Sequence, residues 1–271
     1  MSNVCINVCA NASSITEVFT TQTLDIVVFA GDGIGPEITA PTLRLLTRLA
    51  QGWSYDLHFT DLSAGAQCYA DKGEALPPTS LAWARQADAI LLSAMGLPHI
   101  RYPDGTEIVP QIDIRMELDL YAGVRPVRIV PGQPSPLKVA ETEALDFVLI
   151  RESTEGLFYT KGAGTVTDDD AQETLRITRG VSEKLFNFSF RLAEQRKAAG
   201  RGPGRVMCVD KANVFRAFAF FRGIFDEVAA DYPEIATDHG YVDAVALWRC
   251  GWSVNRNALM SWSPRTCLEI S

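Results

Sequence analysis

A nearly unbroken apolar run, Leu24 to Ala30 (LDIVVFA), passes directly into Gly31-Asp32-Gly33-Ile34-Gly35-Pro36-Glu37 and then into a helical pattern from Ile38 to Ala50. A short apolar run bounded by turn residues reads as a buried strand. In the helical pattern Ile38, Leu45, Leu46 and Leu49 fall on or near one face, and Pro41 is tolerated only if it lies in the first turn. Strand, glycine-rich turn and helix make half of a βαβ unit, which predicts an α/β fold. The glycines let backbone pass close to a ligand. Their spacing, GxGxG followed by Pro36, is not the GxGxxG of dinucleotide sites. As a bare pattern, a tight turn explains it equally well.

The pattern repeats along the chain. Tyr55–Phe59 alternates as a strand, Leu81–Ala87 reads as a short helix, and Ala89–Ala94 is a third, apolar strand ending at Gly96-Leu97-Pro98. Ligands collect at such strand ends in open α/β sheets. Further strands are predicted at Leu137–Ala140, Phe147–Ile150 and Arg205–Val209. Helices are predicted at Val181–Ala199, with Leu185, Phe186, Phe188, Ser189 and Leu192 inward, and at Val214–Ala230. Between Ile150 and Val181, Phe158–Val166 and Gln172–Arg179 flank Asp168-Asp169-Asp170 and read as a projecting hairpin arm with a solvated acidic turn, the kind of edge that pairs with a partner subunit.

The stretch Asp113–Arg128 (DIRMELDLYAGVRPVR) holds Arg115, Arg125 and Arg128. Helix formers give way at Ala122-Gly123, and Pro126 favours an extended exit, so a helix, a turn and a strand follow in order. Arg151 opens RESTEG after a further apolar run. Guanidiniums bind carboxylates in planar, bidentate fashion. Arginines gathered at element ends suit a small substrate with more than one carboxylate; for any one of them alone, a surface ion pair is the plainer reading.

The net charge of −8 over 271 residues argues against nucleic acid as a partner. No run approaches the roughly 18 apolar residues of a membrane span. The six cysteines lack zinc or thioredoxin spacing, and a reducing cytoplasm is the expected compartment. Residues 1–23 contain no Lys or Arg and read as a disordered extension rather than a targeting peptide.

GDGIGPEI, IRMELDLYAGVRPVR, RESTEG, VDKANVF and YVDAVAL, five motifs in order over Leu24–Trp248, resemble the β-decarboxylating isocitrate and isopropylmalate dehydrogenases, a group that includes tartrate and D-malate enzymes. The resemblance implies a two-domain isopropylmalate-dehydrogenase-like α/β fold. It implies that Arg115, Arg125 and Arg151 grip the substrate carboxylates and that Lys211 helps take the proton of the C2 hydroxyl, with Asn213 beside it. It further implies that Asp243 is one of the aspartates holding Mg2+ or Mn2+. Gly33, Ile34 and Gly35 are the expected contacts to NAD. Because Lys211 and Asp243 serve the neighbouring subunit's site in that family, a homodimer is expected. A metal polarises the C2 oxygen and stabilises the enolate after CO2 leaves, and a lysine acts as base when nearby cations lower its pKa.

Two departures stand out. Phe158 occupies the position where the family usually places the tyrosine that protonates the enol. Tyr159 comes next, so either Tyr159 rotates in, another acid serves, or decarboxylation is impaired. The segment with two further metal aspartates and the loop for the adenosine end of NAD have no counterpart, so the first domain is expected to lack its C-terminal part, with metal affinity reduced and apolar faces uncovered. Arg249–Ser271 has two of the five tryptophans, three arginines and a single acidic residue. Back-written in suitable codons and read in a shifted frame, Leu259–Ser271 gives DVMVTENMFGDI, very like the missing metal segment. The tail is therefore read as an out-of-frame continuation after a short duplication near Trp248, the alternative being a genuine C-terminus. The expected organisation is an extension at 1–23, a first, cofactor-side domain at 24–121, a central substrate and dimerisation domain at 122–247, and an aberrant tail at 248–271. The expected activity is NAD-dependent oxidative decarboxylation of a small carboxylic acid, 3-isopropylmalate before tartrate, D-malate or isocitrate. The specificity residues are taken as Val109, Pro110, Gln111 and Ile112. The rival expectation is a non-catalytic partner that dimerises with an intact relative, or an inactive copy.

Overall fold

The computed structural model describes residues 22–53, 55–128 and 146–245, and the backbone of 266–269. The predicted strand at Leu137–Ala140 and the tail predicted at 248–271, save 266–269, lie outside the described residues, as does the extension predicted at 1–23 except Gln22 and Thr23, which instead open the first strand. The chain divides into two units, Met1–Asp113 and Ile114–Ser271. The division falls inside the arginine-bearing helix, where the sequence suggests a boundary at 121/122.

In the first unit β1 (Gln22–Phe29) lies between β2 (Tyr55–Asp61) and β3 (Ala89–Leu92), all parallel, in the order β2-β1-β3. The crossovers are α1 (Gly35–Ala50), then α2 (Ala66–Lys72) with α3 (Pro78–Gln86). The parallel βαβ arrangement follows the predicted pattern, although α2 carried too few periodic apolar residues to be seen in the sequence. Only Val27, Val28 and Phe29 of β1 are fully buried.

Two expectations need correction here. The run Ala89–Ala94 is not the buried strand that its apolar residues suggest: among the described residues β3 is an edge strand, and Leu92 is exposed. As expected for a first domain without its C-terminal part, an apolar face is uncovered: on α1 Ile38, Leu45 and Leu49 are exposed and Leu46 is partly buried, while Gly35, Thr39 and Ala50 are buried. Nothing among the described residues covers that face, so its apolar spacing specifies a helix without specifying what it packs on. Pro41 sits inside α1 and beyond its first turn. It is exposed, so the carbonyl it leaves without a helical donor faces water, which lowers the penalty of an interior proline.

The second unit is a five-stranded sheet of order β4-β5-β10-β8-β9, with β4 (Ala122–Arg128), β5 (Asp146–Glu152), β8 (Arg205–Asp210), β9 (Ala236–Tyr241) and β10 (Thr266–Glu269). β4 runs antiparallel to β5, and the remaining pairs are parallel. Thus four residues of the C-terminal tail form the middle strand. The helices α5 (Arg179–Ala198) and α6 (Arg216–Ala229) bury Leu185, Phe186 and Phe190 against Phe221, Ile224 and Phe225, over Val148, Ile150, Val206 and Cys208. Ring centroids lie 4.5 Å apart for Phe186–Phe221 and 4.9 Å for Phe190–Tyr232. Phe188 and Leu192, predicted inward, are partly buried at the edge of this core, and Phe190 takes the central place. The predicted arm is smaller than its sequence suggests. A 3-10 turn at Leu157–Thr160 leads to two-residue strands β6 (Thr165–Val166) and β7 (Ala171–Gln172), joined by an exposed acidic turn.

Candidate active site

The sequence element with most chemistry is α4 (Pro110–Glu117), which carries Arg115 in its last turn. The helix closes with Leu120 N–H donating to the Arg115 carbonyl at 2.9 Å, and Asp119 takes a positive φ of 51°. The chain then enters β4. In the β4–β5 ladder Gly123 pairs with Arg151 and Arg125 with Leu149. Residues opposite one another share a face, as do residues two apart in a strand. Arg125 and Arg151 are therefore diagonal neighbours on one face of the sheet. Gly123, opposite Arg151, has no room for a side chain: a Cβ there would stand 2.7 Å from Ser153 Oγ. Arg128 lies exposed at the far end of β4, opposite Asp146. Gln111, one of the four predicted specificity residues, has a buried Oε1 with no hydrogen-bond partner among the described residues.

RESTEG forms a tight, buried loop. The Glu152 carboxylate accepts from Thr154 N–H at 2.6 Å, Thr154 Oγ1 at 2.8 Å and Glu155 N–H at 2.9 Å. Glu155 accepts from the N–H (2.7 Å) and hydroxyl (2.6 Å) of Thr178, the residue that precedes α5. One loop thereby fixes both the exit of β5, where Arg151 sits, and the start of the long helix. Arg151 faces the ring of Phe158 at 5.7 Å, whereas the ring of Tyr159 lies under Arg176 at 3.7 Å and is exposed. Tyr159, expected as proton donor, is thus engaged with the base of the arm in this conformation.

Lys211 follows β8 directly, and Asp243 lies two residues beyond β9. The two strands are parallel neighbours with Asp210 opposite Tyr241, and Lys211 Nζ donates to Asp243 Oδ1 at 2.7 Å. The ammonium holds the Asp243 carboxyl below the usual carboxylate range. Asn213 is exposed in the turn after Lys211, where the N–H groups of Val214 and Phe215 both donate to the Lys211 carbonyl. Behind this pair, Asp210 is buried and receives Arg222 in bidentate fashion, Nε at 2.9 Å and Nη2 at 2.6 Å. Asp210 holds the Arg222 guanidinium above its ordinary pKa, and burial pushes the adjoining Cys208 thiol well up.

In the first unit the predicted cofactor contacts Gly33, Ile34 and Gly35 form the turn between β1 and α1. Any Cβ at Gly31 would strike the Ala94 carbonyl, which explains glycine there. The apex is open: a Cβ at Gly33 would meet only Leu97 Cδ2 at 3.8 Å, and Ile34 is exposed. Gly33 and Ile34 are accessible at this apex, whereas Gly35, the first residue of α1, is buried and donates its N–H to the Asp32 carbonyl at 2.8 Å. Asp32 organises the turn. Buried, it accepts from the N–H groups of Ala66 (2.7 Å), Gln67 (2.9 Å) and Gly96 (2.9 Å).

The implied metal fares differently. Among the described residues no three His, Cys, Asp or Glu side chains gather as an ion would require, and Asp243 already neutralises Lys211. The described residues of one chain do not fit Mg2+ or Mn2+. No helix among the described residues is long and apolar enough to cross a membrane.

Sequence reading missed Asp32, Glu152, Glu155, Asp210 and Arg222. Four are carboxylates at the ends of apolar runs or inside glycine turns, a placement that costs heavily unless donors converge on it. That mismatch was the available signal.

The family model described as isocitrate/isopropylmalate dehydrogenase matches residues 25–248. The 3-isopropylmalate dehydrogenase of Moorella thermoacetica is 32% identical over 232 residues, which cover 82% of this chain and 62% of that protein. That of Corynebacterium efficiens is 35% identical over 230 residues, covering 83% and 64%. The fold superimposes on the TT0538 protein from Thermus thermophilus with a TM-score of 0.74 and 27% identity, over 95% of this chain and 49% of that one. It also superimposes on the isocitrate dehydrogenase from Methylococcus capsulatus, with a TM-score of 0.71 and 24% identity over 92% and 67%. The chain spans a little under two thirds of the length of these curated relatives. With the motifs in order and the matched fold around them, the chain belongs to the isocitrate/isopropylmalate dehydrogenase family.

Proposed function

We propose that the chain carries the substrate-binding and proton-handling residues of an NAD-dependent β-decarboxylating dehydrogenase. Its substrate is a malate-like 2-hydroxy acid, with 3-isopropylmalate ahead of tartrate, D-malate and isocitrate. The observation that carries this reading is the meeting of Lys211 and Asp243 at 2.7 Å, at the ends of adjacent strands, in a chain whose family match spans both. The preference for 3-isopropylmalate rests on relatives bearing that name at 32–35% identity.

Arg125 and Arg151, on one sheet face, take a carboxylate each or share one, and Arg115 adds a third guanidinium from α4. Charge-assisted bonds of this kind fix the acid in one orientation. NAD, when bound at the open apex Gly33–Ile34, would supply the acceptor for the hydride of C2. Lys211, once neutral and released from Asp243, takes the proton of the C2 hydroxyl as C2 gives up its hydride, which yields a 2-keto acid with a carboxylate on C3. Loss of that carboxylate as CO2 leaves the electron pair in an enol, and a proton delivered to C3 completes the product. Phe158 has no proton to give, so this last step is the slow one. A homodimer, in which Lys211 and Asp243 serve the partner's site, is part of the proposal. No step is assigned to a metal.

Calorimetric titration with the four acids tests the assignment. The tightest binding is expected for 3-isopropylmalate, and binding of none would overturn it. A second reading has one observation in its favour: with Phe158, which has no hydroxyl, against Arg151, the chain also suits a non-catalytic partner for a full-length relative. Co-purification with such a relative, set against a chain that purifies as a homodimer, distinguishes the two.

A further inference from the structure

We infer that Arg222 is a positioning residue whose guanidinium clamps the ends of β8 and β9 and so fixes the meeting of Lys211 with Asp243. The inference deepens the proposed function, since it concerns the residue read there as the proton acceptor.

Asp210 ends β8 and Tyr241 ends β9, and the two are register partners. Arg222, from α6, reaches both. Its Nε donates to Asp210 Oδ2 at 2.9 Å and its Nη2 to Oδ1 at 2.6 Å, while its guanidinium carbon stands 5.1 Å from the centroid of the Tyr241 ring. Asp210 Oδ1 also accepts from Ala212 N–H at 2.8 Å, so the same carboxylate holds the turn in which Lys211 sits. Lys211 is therefore bracketed, with Asp210 before it and Ala212 after it tied to a single buried group. On the other strand His239 Nε2 meets Asp226 Oδ1 at 2.8 Å, a second tie between β9 and α6.

A buried ion pair seldom adds net stability over apolar residues of the same volume, and its best-attested use is to specify a geometry. Here the geometry is the spacing of two strand ends that carry the candidate chemistry. Lysine cannot reproduce a planar fork that bridges a carboxylate and lies against a ring.

The test is hydrogen exchange on the full chain, comparing wild type with Arg222→Met, Arg222→Lys and Cys208→Ala. Cys208 Sγ donates to Asp210 Oδ2 at 3.5 Å, so its truncation loosens the same core and takes a weak bond from that carboxylate while leaving the Arg222 fork in place. In both Arg222 variants, peptides covering 210–213 and 241–244 are expected to exchange roughly tenfold faster or more, the consequence of losing a charge-assisted bond. Peptides of β5 and α5 keep their wild-type protection, and Cys208→Ala leaves 210–213 unchanged. No acceleration at 210–213 in Arg222→Met overturns the clamp. So does uniform acceleration of all peptides in Arg222→Met and Cys208→Ala alike, which would make Arg222 ordinary core packing. In turnover, Arg222→Lys is expected to lower kcat with the KM for the acid unchanged, and a rise in KM alone contradicts the assignment. A wild-type chain that oxidises no 2-hydroxy acid removes the proposed function, and exchange still decides the clamp.

Discussion

The guanidinium of Arg151 lies 5.7 Å from the ring centroid of Phe158, and no hydroxyl stands on that ring. The neighbouring phenol, Tyr159, is held 3.7 Å beneath Arg176. A proton donor within reach of the Arg151-bound acid would have to be restored at position 158. Phe158→Tyr is expected to raise turnover by about a hundredfold, the lower end of what a positioned general acid contributes. Tyr159→Phe is expected to leave turnover within about twofold. Steady-state rates of the two variants check this. A hundredfold loss in Tyr159→Phe, with no gain in Phe158→Tyr, would identify Tyr159 as the donor after rotation out of its present place.

Arg125 and Arg151 share a sheet face through the β4–β5 register. Replacing either by Ala is expected to weaken binding of 3-isopropylmalate by about ten- to a hundredfold, the measure of one lost charge-assisted pair. Calorimetry on the single variants decides; unchanged affinity in both would mean that the acid binds elsewhere.

Asp32 is predicted to matter for stability rather than for binding. Three backbone N–H groups from α2 and from the loop after β3 converge on its carboxylate. Asp32→Ala leaves the buried Ala66 N–H and the partly buried N–H groups of Gln67 and Gly96 without this acceptor and is expected to cost about 2 kcal/mol. Glu155→Ala, which strips Thr178 of both its bonds to that carboxylate, is expected to cost about 2 kcal/mol. Urea unfolding midpoints give both values, and losses near zero would show that water replaces the carboxylates.

Cys208 is fully buried, and burial raises its thiol pKa well above the ordinary value. The thiol is therefore expected to resist iodoacetamide in the folded chain at pH 8 and to react only on unfolding. The linkage has a definite sign. Ionisation is open to the unfolded thiol and closed to the folded one, so this group's contribution is complete below the unfolded pKa of about 8.5 and falls as the pH rises past it. Mass spectrometry of the alkylated peptide reads the first expectation, and unfolding at pH 8 and pH 10 the second. Labelling of Cys208 in the native chain at the unfolded rate would contradict both.

The fold was legible where pattern and chemistry agree. LDIVVFA before a glycine turn, VMCV before an acidic residue, and long apolar-periodic segments gave the order of strands and helices, because backbone pairing and burial leave few other uses for them. The active-site reading came from motifs, and the structure places Lys211 and Asp243 side by side although 31 positions intervene between them. What the sequence concealed was of another kind. Glu152, Glu155 and Asp210 look like surface charges until the donors around them are known. The strand Thr266–Glu269 offered no period at all, since its place in the sheet depends on pairing with β5 and β8, residues far away in the chain.

The most direct measurement is the formation of NADH at 340 nm by the purified chain, with NAD, Mg2+ or Mn2+, and each of 3-isopropylmalate, tartrate, D-malate and isocitrate in turn. Slow but saturable NADH formation, highest with 3-isopropylmalate and lost in Lys211→Met, is the predicted result. No NADH with any of the four acids, from a chain shown to be folded by its hydrogen exchange, would contradict the account.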